Sequence, residues 1–240
     1  MNENRYKANI SSEQKLSDVV SSNPEMVQML QLLRIPLGFG DMSIGQICSR
    51  NKLSENFFLA LVNMLSNPDY APNVSTLSSD DALAIIEFLE ASHSTYRHTI
   101  LPSLHANVHK IAELCSADTK SLVNRFFDEY DAEMNRHIES EEENEFNYIK
   151  RLILGQITDE MSITKIIKQH DDAETKIEDF KNIILKYVPE ECNLSERYLA
   201  VIQMIHIAND LSFHTRIEEC LLYPLAVKLE SGLNNEDRKN

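Results

Sequence analysis

Two pairs of residues with the pattern His-x-x-x-Glu, His137–Glu141 and His214–Glu218, carry side chains that bind transition metals. Each pair lies in a stretch with helical periodicity, and residues four apart lie on the same face of a helix. Each pair can therefore direct an imidazole nitrogen and a carboxylate oxygen toward one point. Nitrogen and oxygen donors of this kind suit iron, manganese or zinc.

An internal repeat joins these pairs to two further histidines. His137 and His214 are 77 positions apart, and His93 and His170 have the same separation. A single pair of this kind is usually a surface ion pair, but two pairs in register with two more histidines indicate a metal site. We therefore predict six ligands, which are His93, His137, Glu141, His170, His214 and Glu218.

The elements that must position these ligands are four long helices, predicted near residues 81–113, 118–153, 161–187 and 195–230. Breaker residues separate these helices, and Pro102 predicts a local break in the first of them. In an antiparallel hairpin of two helices, residues equidistant from the turn lie at the same height along the bundle axis. The sequence position halfway between each two successive ligand histidines falls beside a breaker residue, where a turn is predicted. The sequence thus predicts an up-down-up-down four-helix bundle with all four histidines at one level.

A smaller helical module is predicted before the bundle. Residues 16–66 contain three predicted helices, and residues 67–79 form a linker rich in asparagine, proline and serine. The chain is therefore predicted to be all-α, with a small N-terminal domain at residues 1–68 and the bundle at residues 80–230.

Composition and charge argue against several kinds of partner. The formal net charge of −15, without a local basic patch, argues against nucleic acid. The N-terminus has no apolar signal core and the chain has no run of about 18 apolar residues, so we expect a cytoplasmic protein without a membrane partner. Cys48, Cys115, Cys192 and Cys220 are scattered, and we expect free thiols instead of a disulfide framework.

Four histidines and two glutamates at one level predict a dinuclear centre. Each metal receives two histidines from the repeat, the glutamates can bridge the metals, and open positions remain for dioxygen, nitric oxide or water. His98, His105 and His109 have no partner at the repeat spacing and are predicted to be surface or packing residues. Glu133 and Asp210 each precede a ligand histidine by four residues. They either accept a hydrogen bond from a ligand's second ring nitrogen or are solvated.

The segments around the ligands resemble the hemerythrin-like family. HIESEEENEFNYI (137–149) and HTRIEECLLYPLA (214–226) are similar to its H-x-x-x-E-E-x-x-x-F-P element. IKQHDD (167–172) and EASHSTYRHTILPSL (90–104) are similar to its third-helix and first-helix histidine motifs. By this resemblance the six residues are the ligands of two iron ions with an oxo or hydroxo bridge. Manganese or zinc would accept the same ligands.

Residues 16–66 resemble the small N-terminal domain of the iron–sulfur cluster repair di-iron proteins, most clearly in LSDVVSSNPEMVQMLQLLRIPLGFG (16–40). The resemblance implies a role in nitrosative and oxidative stress, through the repair of damaged iron–sulfur proteins. That family has a Cys-Cys pair where this chain has Leu37-Gly38-Phe39-Gly40. A step that needs those thiols, such as iron delivery, is therefore not implied for this chain.

Two other functions stay open at this point. Without the Cys-Cys pair, the protein can be a carrier or sensor that binds dioxygen or nitric oxide without repair activity. It can also be an enzyme that reduces nitric oxide or peroxide. The sequence shows no proton donor beyond the site carboxylates, so we assign no catalytic residue. It fixes neither the oligomeric state nor the electron donor.

Overall fold

The structure, a computed structural model, describes residues 9–156, 162–166, 173–192 and 194–237. Within these ranges the regular elements are helices, apart from an isolated β-bridge between Lys15 and Ser43. The all-α prediction is confirmed for this part of the chain. None of the helices in these ranges is both long and apolar enough to cross a lipid bilayer. The up-down-up-down order of the bundle stays a prediction.

In the described residues, turns of π-helix interrupt the long helices. The α-helices are α1 (Leu16–Ser22), α2 (Met26–Leu32), α3 (Ile44–Asn51), α4 (Glu55–Ser66), α5 (Ser79–Thr95), α6 (Leu101–Glu113), α7 (Ala117–Ser140), α8 (Asn147–Ile153), α9 (Ile163–Ile166), α10 (Ala173–Lys186), α11 (Leu194–Ile217) and α12 (Tyr223–Asp237). The π-helical turns are π1 (Tyr96–Ile100), π2 (Glu141–Phe146) and π3 (Glu218–Leu222). A 3₁₀-helix covers Val74–Thr76.

The chain divides into two compact units. The first unit comprises Met1–Phe88 together with Arg216–Asn240. The second unit comprises Leu89–Thr215. The domain limits expected from the sequence, residues 1–68 and 80–230, stay a prediction.

The first unit begins with four short helices, α1 to α4, instead of the three predicted for residues 16–66. Asn23 separates α1 from α2 because it precedes Pro24, and a residue before proline is driven out of the helical region. Its backbone is extended, with φ −142° and ψ 92°. Ser43 caps α3 in a capping box, in which its hydroxyl accepts a hydrogen bond from the backbone N–H of Gln46.

One hydrophobic core holds the second unit together. α6 packs against α7, and α7 packs against α10. The rings of Phe127 on α7 and Phe180 on α10 lie with their centroids 6.3 Å apart. From α11, Ala200 and Met204 join the same cluster with no exposed surface. The core therefore includes side chains of all four of these helices.

Pro102 produces the local break that was predicted in the first long helix. Proline has no N–H, and its ring clashes with the carbonyl group four residues earlier, here that of His98. The break takes the form of π1, directly before α6. π2 was not predicted, because neither it nor the residues beside it include a proline.

The prediction of free thiols is wrong for two of the four cysteines. Cys115 and Cys192 form a disulfide, with their Cα atoms 5.8 Å apart. Cys48 and Cys220 are free. The scattered spacing argued against pairing, but the fold brings two distant connections between helices side by side. The cytoplasmic location expected from the sequence stays a prediction.

Candidate metal centre

Four of the six predicted ligands meet in the second unit, around the carboxylate of Glu141 at the start of π2. Its Oε2 atom lies 3.0 Å from His93 Nε2 and 3.6 Å from His214 Nε2. Its Oε1 atom lies 2.9 Å from His137 Nε2, which is the contact expected for residues four apart on a helix. The Nε2 atoms of His93 and His214 are 3.2 Å apart.

The cluster is shielded from water. His93, Glu141 and His214 are 2%, 1% and 6% exposed. The rings of His93 and His214 are stacked, with centroids 4.9 Å apart. Phe146 also stacks on His93, at 5.7 Å between centroids and 9° between planes. Polar groups buried to this degree need partners, because each unpaired group costs about 1–3 kcal/mol.

The charge of Glu141 is set by two opposing effects. Burial disfavours the carboxylate and by itself would raise its pKa. Hydrogen bonds from His137, His214 and His93 outweigh burial and hold the pKa of Glu141 well below its usual range. The ionised carboxylate thus faces three imidazole nitrogens. A proton or a metal ion must lie among these atoms, because nitrogen lone pairs and a carboxylate repel each other.

The distances fit ligands that share one metal ion. Two donors about 2.1 Å from one ion, at angles between octahedral and tetrahedral values, are about 3.0–3.4 Å apart. The distances from His93 Nε2 to Glu141 and to His214 fall in this range. One donor atom from each of these three residues lies within 4.8 Å of the others. His93, Glu141 and His214 can therefore hold a metal ion, and the donor set suits iron, manganese or zinc.

His93 is held at its second ring nitrogen by a contact that the sequence analysis missed. Its Nδ1 atom donates to Glu142 Oε1 at 3.0 Å, and Arg97 Nη1 donates to Glu142 Oε2 at 3.1 Å. Metal-bound histidines usually donate the second ring N–H to such a group, which fixes the tautomer. With a metal ion bound and the ring proton on Nδ1, the lone pair of His93 Nε2 would be available to the ion. Spacing rules within one helix could not reveal a contact between different helices.

Replacing Glu142 with alanine is expected to weaken metal binding by about 10–100-fold, because His93 loses the partner that orients its ring. The affinity for Zn²⁺ can be measured in competition with a chromophoric chelator. Glu143→Ala is the matched control, since Glu143 is exposed and lies in the same π-helical turn. Equal affinities of the two variants would show that Glu142 does not orient His93.

The other two predicted ligands stay predictions. His170 lies outside the described residues. Glu218 belongs to the first unit, where it begins π3 and has no exposed surface. The sequence predicted both from the same repeat interval that selected the other four ligands.

The histidines without a repeat partner lie on the surface, as predicted. His98, His105 and His109 are exposed. His98 Nδ1 lies 2.8 Å from the backbone oxygen of Ser94, one helical turn earlier. The repeat therefore selected the buried histidine, His93, over its exposed neighbour on the same helix.

Glu133 is not solvated, which removes one of its two predicted roles. Its side chain is buried and forms an ion pair with Arg136 at 2.6 Å. It forms a second ion pair with Lys176, which lies on α10. A buried carboxylate of α7 is thus bound to a lysine of the neighbouring helix, and this contact joins α7 to α10.

Comparison with known proteins assigns no family to the chain. No family model matches the sequence, and no curated protein matches it significantly. The fold and the site define a class: in its described residues, an all-helical protein with a buried histidine–glutamate cluster that can hold a metal ion. Any narrower function has to be argued from the site and from the resemblance of its motifs.

Proposed function

We propose that the protein is a di-iron protein of the hemerythrin-like type that repairs damaged iron–sulfur clusters in nitrosative and oxidative stress. The main support is the buried cluster of His93, Glu141 and His214. His137 lies 2.9 Å from the same carboxylate. These four residues are ligands in the mapping implied by the hemerythrin-like resemblance, which is why we favour iron over manganese or zinc.

The two oxygens of Glu141 face different histidines, as a bridging carboxylate would require. Oε2 faces His93 and His214, whereas Oε1 faces His137. In the mapping implied by the hemerythrin-like resemblance, His170 and Glu218 are the two remaining ligands of a dinuclear site. Iron bound at such a site supplies redox chemistry and open coordination positions for dioxygen or nitric oxide. The buried surroundings limit the access of water to these positions.

A second candidate is a carrier or sensor of dioxygen or nitric oxide without repair activity. The turn Leu37-Gly38-Phe39-Gly40 in the first unit favours this candidate. The turn that replaces the Cys-Cys pair exposes Leu37 (68%) and contains Gly38 with φ +89°. The sole cysteine in residues 1–88 is Cys48, which is buried. Burial and the negative charge of Glu55 raise the pKa of the Cys48 thiol to about 11. No reactive thiol is thus available at this turn for iron delivery.

The repair function is tested by gene deletion in the source organism. We expect iron–sulfur enzymes of the deletion strain to recover their activity more slowly after exposure to nitric oxide. The wild-type gene and Glu143→Ala should restore recovery, whereas Glu141→Ala should not, because it removes the central carboxylate of the cluster. Unchanged recovery in the deletion strain would reject repair.

The purified protein separates the other functions. Metal analysis and Mössbauer spectroscopy after anaerobic purification should show two iron ions per chain. Reversible absorption changes with dioxygen would indicate a carrier, and rapid irreversible oxidation would argue against one. Continuous consumption of nitric oxide or peroxide with an electron donor would indicate a reductase.

A further inference from the structure

The disulfide joins equivalent points of the internal repeat. Cys115 and Cys192 are 77 residues apart, the same interval that relates His93 to His170. Cys115 lies between α6 and α7, and Cys192 lies between α10 and α11. The bond therefore connects corresponding helix–helix connections of the two repeat units.

Both connections are held by contacts that do not require the bond. The N–H of Cys115 donates to the carbonyl of Ala112 at 3.1 Å, and the N–H of Cys192 donates to that of Pro189 at 3.2 Å. Arg197 Nη1 also donates to the Pro189 carbonyl, at 3.1 Å. The core shared by α6, α7, α10 and α11 lies next to both cysteines. Because this core does not depend on the disulfide, we expect it to keep the two sulfur atoms near each other when the bond is broken.

The two cysteine residues differ in their exposure to solvent. Cys192 is 2% exposed, whereas Cys115 is half-buried. A small thiolate can therefore attack the sulfur of Cys115, with the sulfur of Cys192 as the leaving group. Cys115 Sγ lies 3.3 Å from the carbonyl oxygen of Ile111, so the reduced thiol has a hydrogen-bond acceptor in place.

We propose that Cys115 and Cys192 form a reversible thiol–disulfide site, which a small dithiol opens and a hydroperoxide closes. In the predicted cytoplasmic location, disulfides are usually transient and serve redox sensing or catalysis. Closing the site locks the α6–α7 connection to the α10–α11 connection. Opening it leaves these connections to the non-covalent core. The site uses no metal ligand and is independent of the proposed repair function.

In the opening reaction, one thiolate of the dithiol attacks Cys115 Sγ, and the protein S–S bond breaks. The sulfur of Cys192 leaves with the electron pair and takes up a proton. The second thiol of the reductant then displaces Cys115, which becomes a thiol, while the reductant closes into its own disulfide. In total, two electrons and two protons pass from the dithiol to the protein.

In the closing reaction, the Cys115 thiolate attacks the hydroperoxide and breaks its O–O bond. An oxygen atom is transferred to sulfur, which gives a sulfenic acid, and an alcohol or water is released. The thiol of Cys192 then attacks the sulfenic sulfur. The S–S bond forms and water leaves, so that two electrons have passed from the cysteines to the peroxide.

The full-length protein is equilibrated with mixtures of reduced and oxidised dithiothreitol, and thiol exchange is then stopped with acid. The quenched protein is denatured, returned to neutral pH and alkylated. Because the chain has four cysteines and two are free in the closed form, intact mass should show two alkyl groups when closed and four when open. The far-ultraviolet circular dichroism should be the same in both forms. Adding hydrogen peroxide to the open form should restore two alkyl groups. Cys192→Ser should instead accumulate a sulfenic acid at Cys115 that dimedone traps.

Cys48→Ser and Cys220→Ser are the controls, and both should open and close as the wild type does. The proposal is overturned if the disulfide resists dithiothreitol without denaturant, or if opening it unfolds the chain. Failure of peroxide to close the site, or bonds that involve Cys48 or Cys220, would also overturn it. A gene deletion without a repair phenotype would leave it intact, because the thiol readout does not depend on iron.

Discussion

Replacing Glu141 with alanine is expected to lower metal affinity by more than about 100-fold, beyond the loss typical of residues that only orient a ligand. The carboxylate of Glu141 lies 2.9 to 3.6 Å from three of the predicted ligand histidines. Its removal deletes a ligand and the negative charge that offsets a buried cation. Metal content per chain, measured by mass spectrometry after anaerobic loading with Fe²⁺, reports the loss.

Glu143→Ala is again the matched control, because it removes an exposed carboxylate from the same turn. Glu141→Gln provides a second test, since it keeps the shape of the side chain and removes its charge. Circular dichroism shows whether each variant keeps its helices. A folded Glu141→Ala protein with the metal content of the wild type would contradict the proposed site.

Replacing His170 with alanine is expected to lower the iron content well below two ions per chain. His170 completes the repeat interval that selected His93, and the repeat assigns it to the same site. In the proposed dinuclear centre, the loss of this imidazole would remove a strong ligand of one ion, while Glu141, His93 and His214 would remain. Iron quantification and Mössbauer spectroscopy of anaerobically purified protein test this expectation.

His98→Ala is the control for the His170 variant, because His98 is an exposed histidine without a repeat partner. It should keep the iron content of the wild type. If His170→Ala also kept it, the third-helix ligand would be wrong. The 77-residue repeat would then relate equivalent helices without identifying every metal ligand.

Three ends of the long helices could be predicted because they depend on local chemistry. Ser116 caps α7 and accepts a hydrogen bond from the N–H of Thr119. Gly155 follows α8 with φ +72°, a conformation that most other residues avoid. Pro189 lies just after α10, where a helix cannot continue through its ring. Each signal acts within a few residues, so the sequence displays it directly.

Part of the candidate metal site could also be predicted, because residue types and intervals carry the information. The helical spacing brought together His137 and Glu141, and the repeat brought in His93 and His214. The contact between His93 and Glu142 could not be predicted, because it links residues 49 positions apart through side-chain rotamers. The cysteine pairing was missed for a related reason. Its partners share the repeat interval, but no motif marks them.

The π-helical turns change the direction in which side chains point along the helices that carry the candidate metal ligands. A π turn holds more residues than an α turn, so the residues on its two sides follow different rows along the helix. On the helix that contains π2, His137 precedes the change, whereas Ile149 and Leu152 follow it and are buried. If the metal-ligand candidates were transferred to a straight α-helix in an engineered protein, either these side chains or the buried apolar side chains would point in the wrong direction. A faithful graft has to include the wide turn.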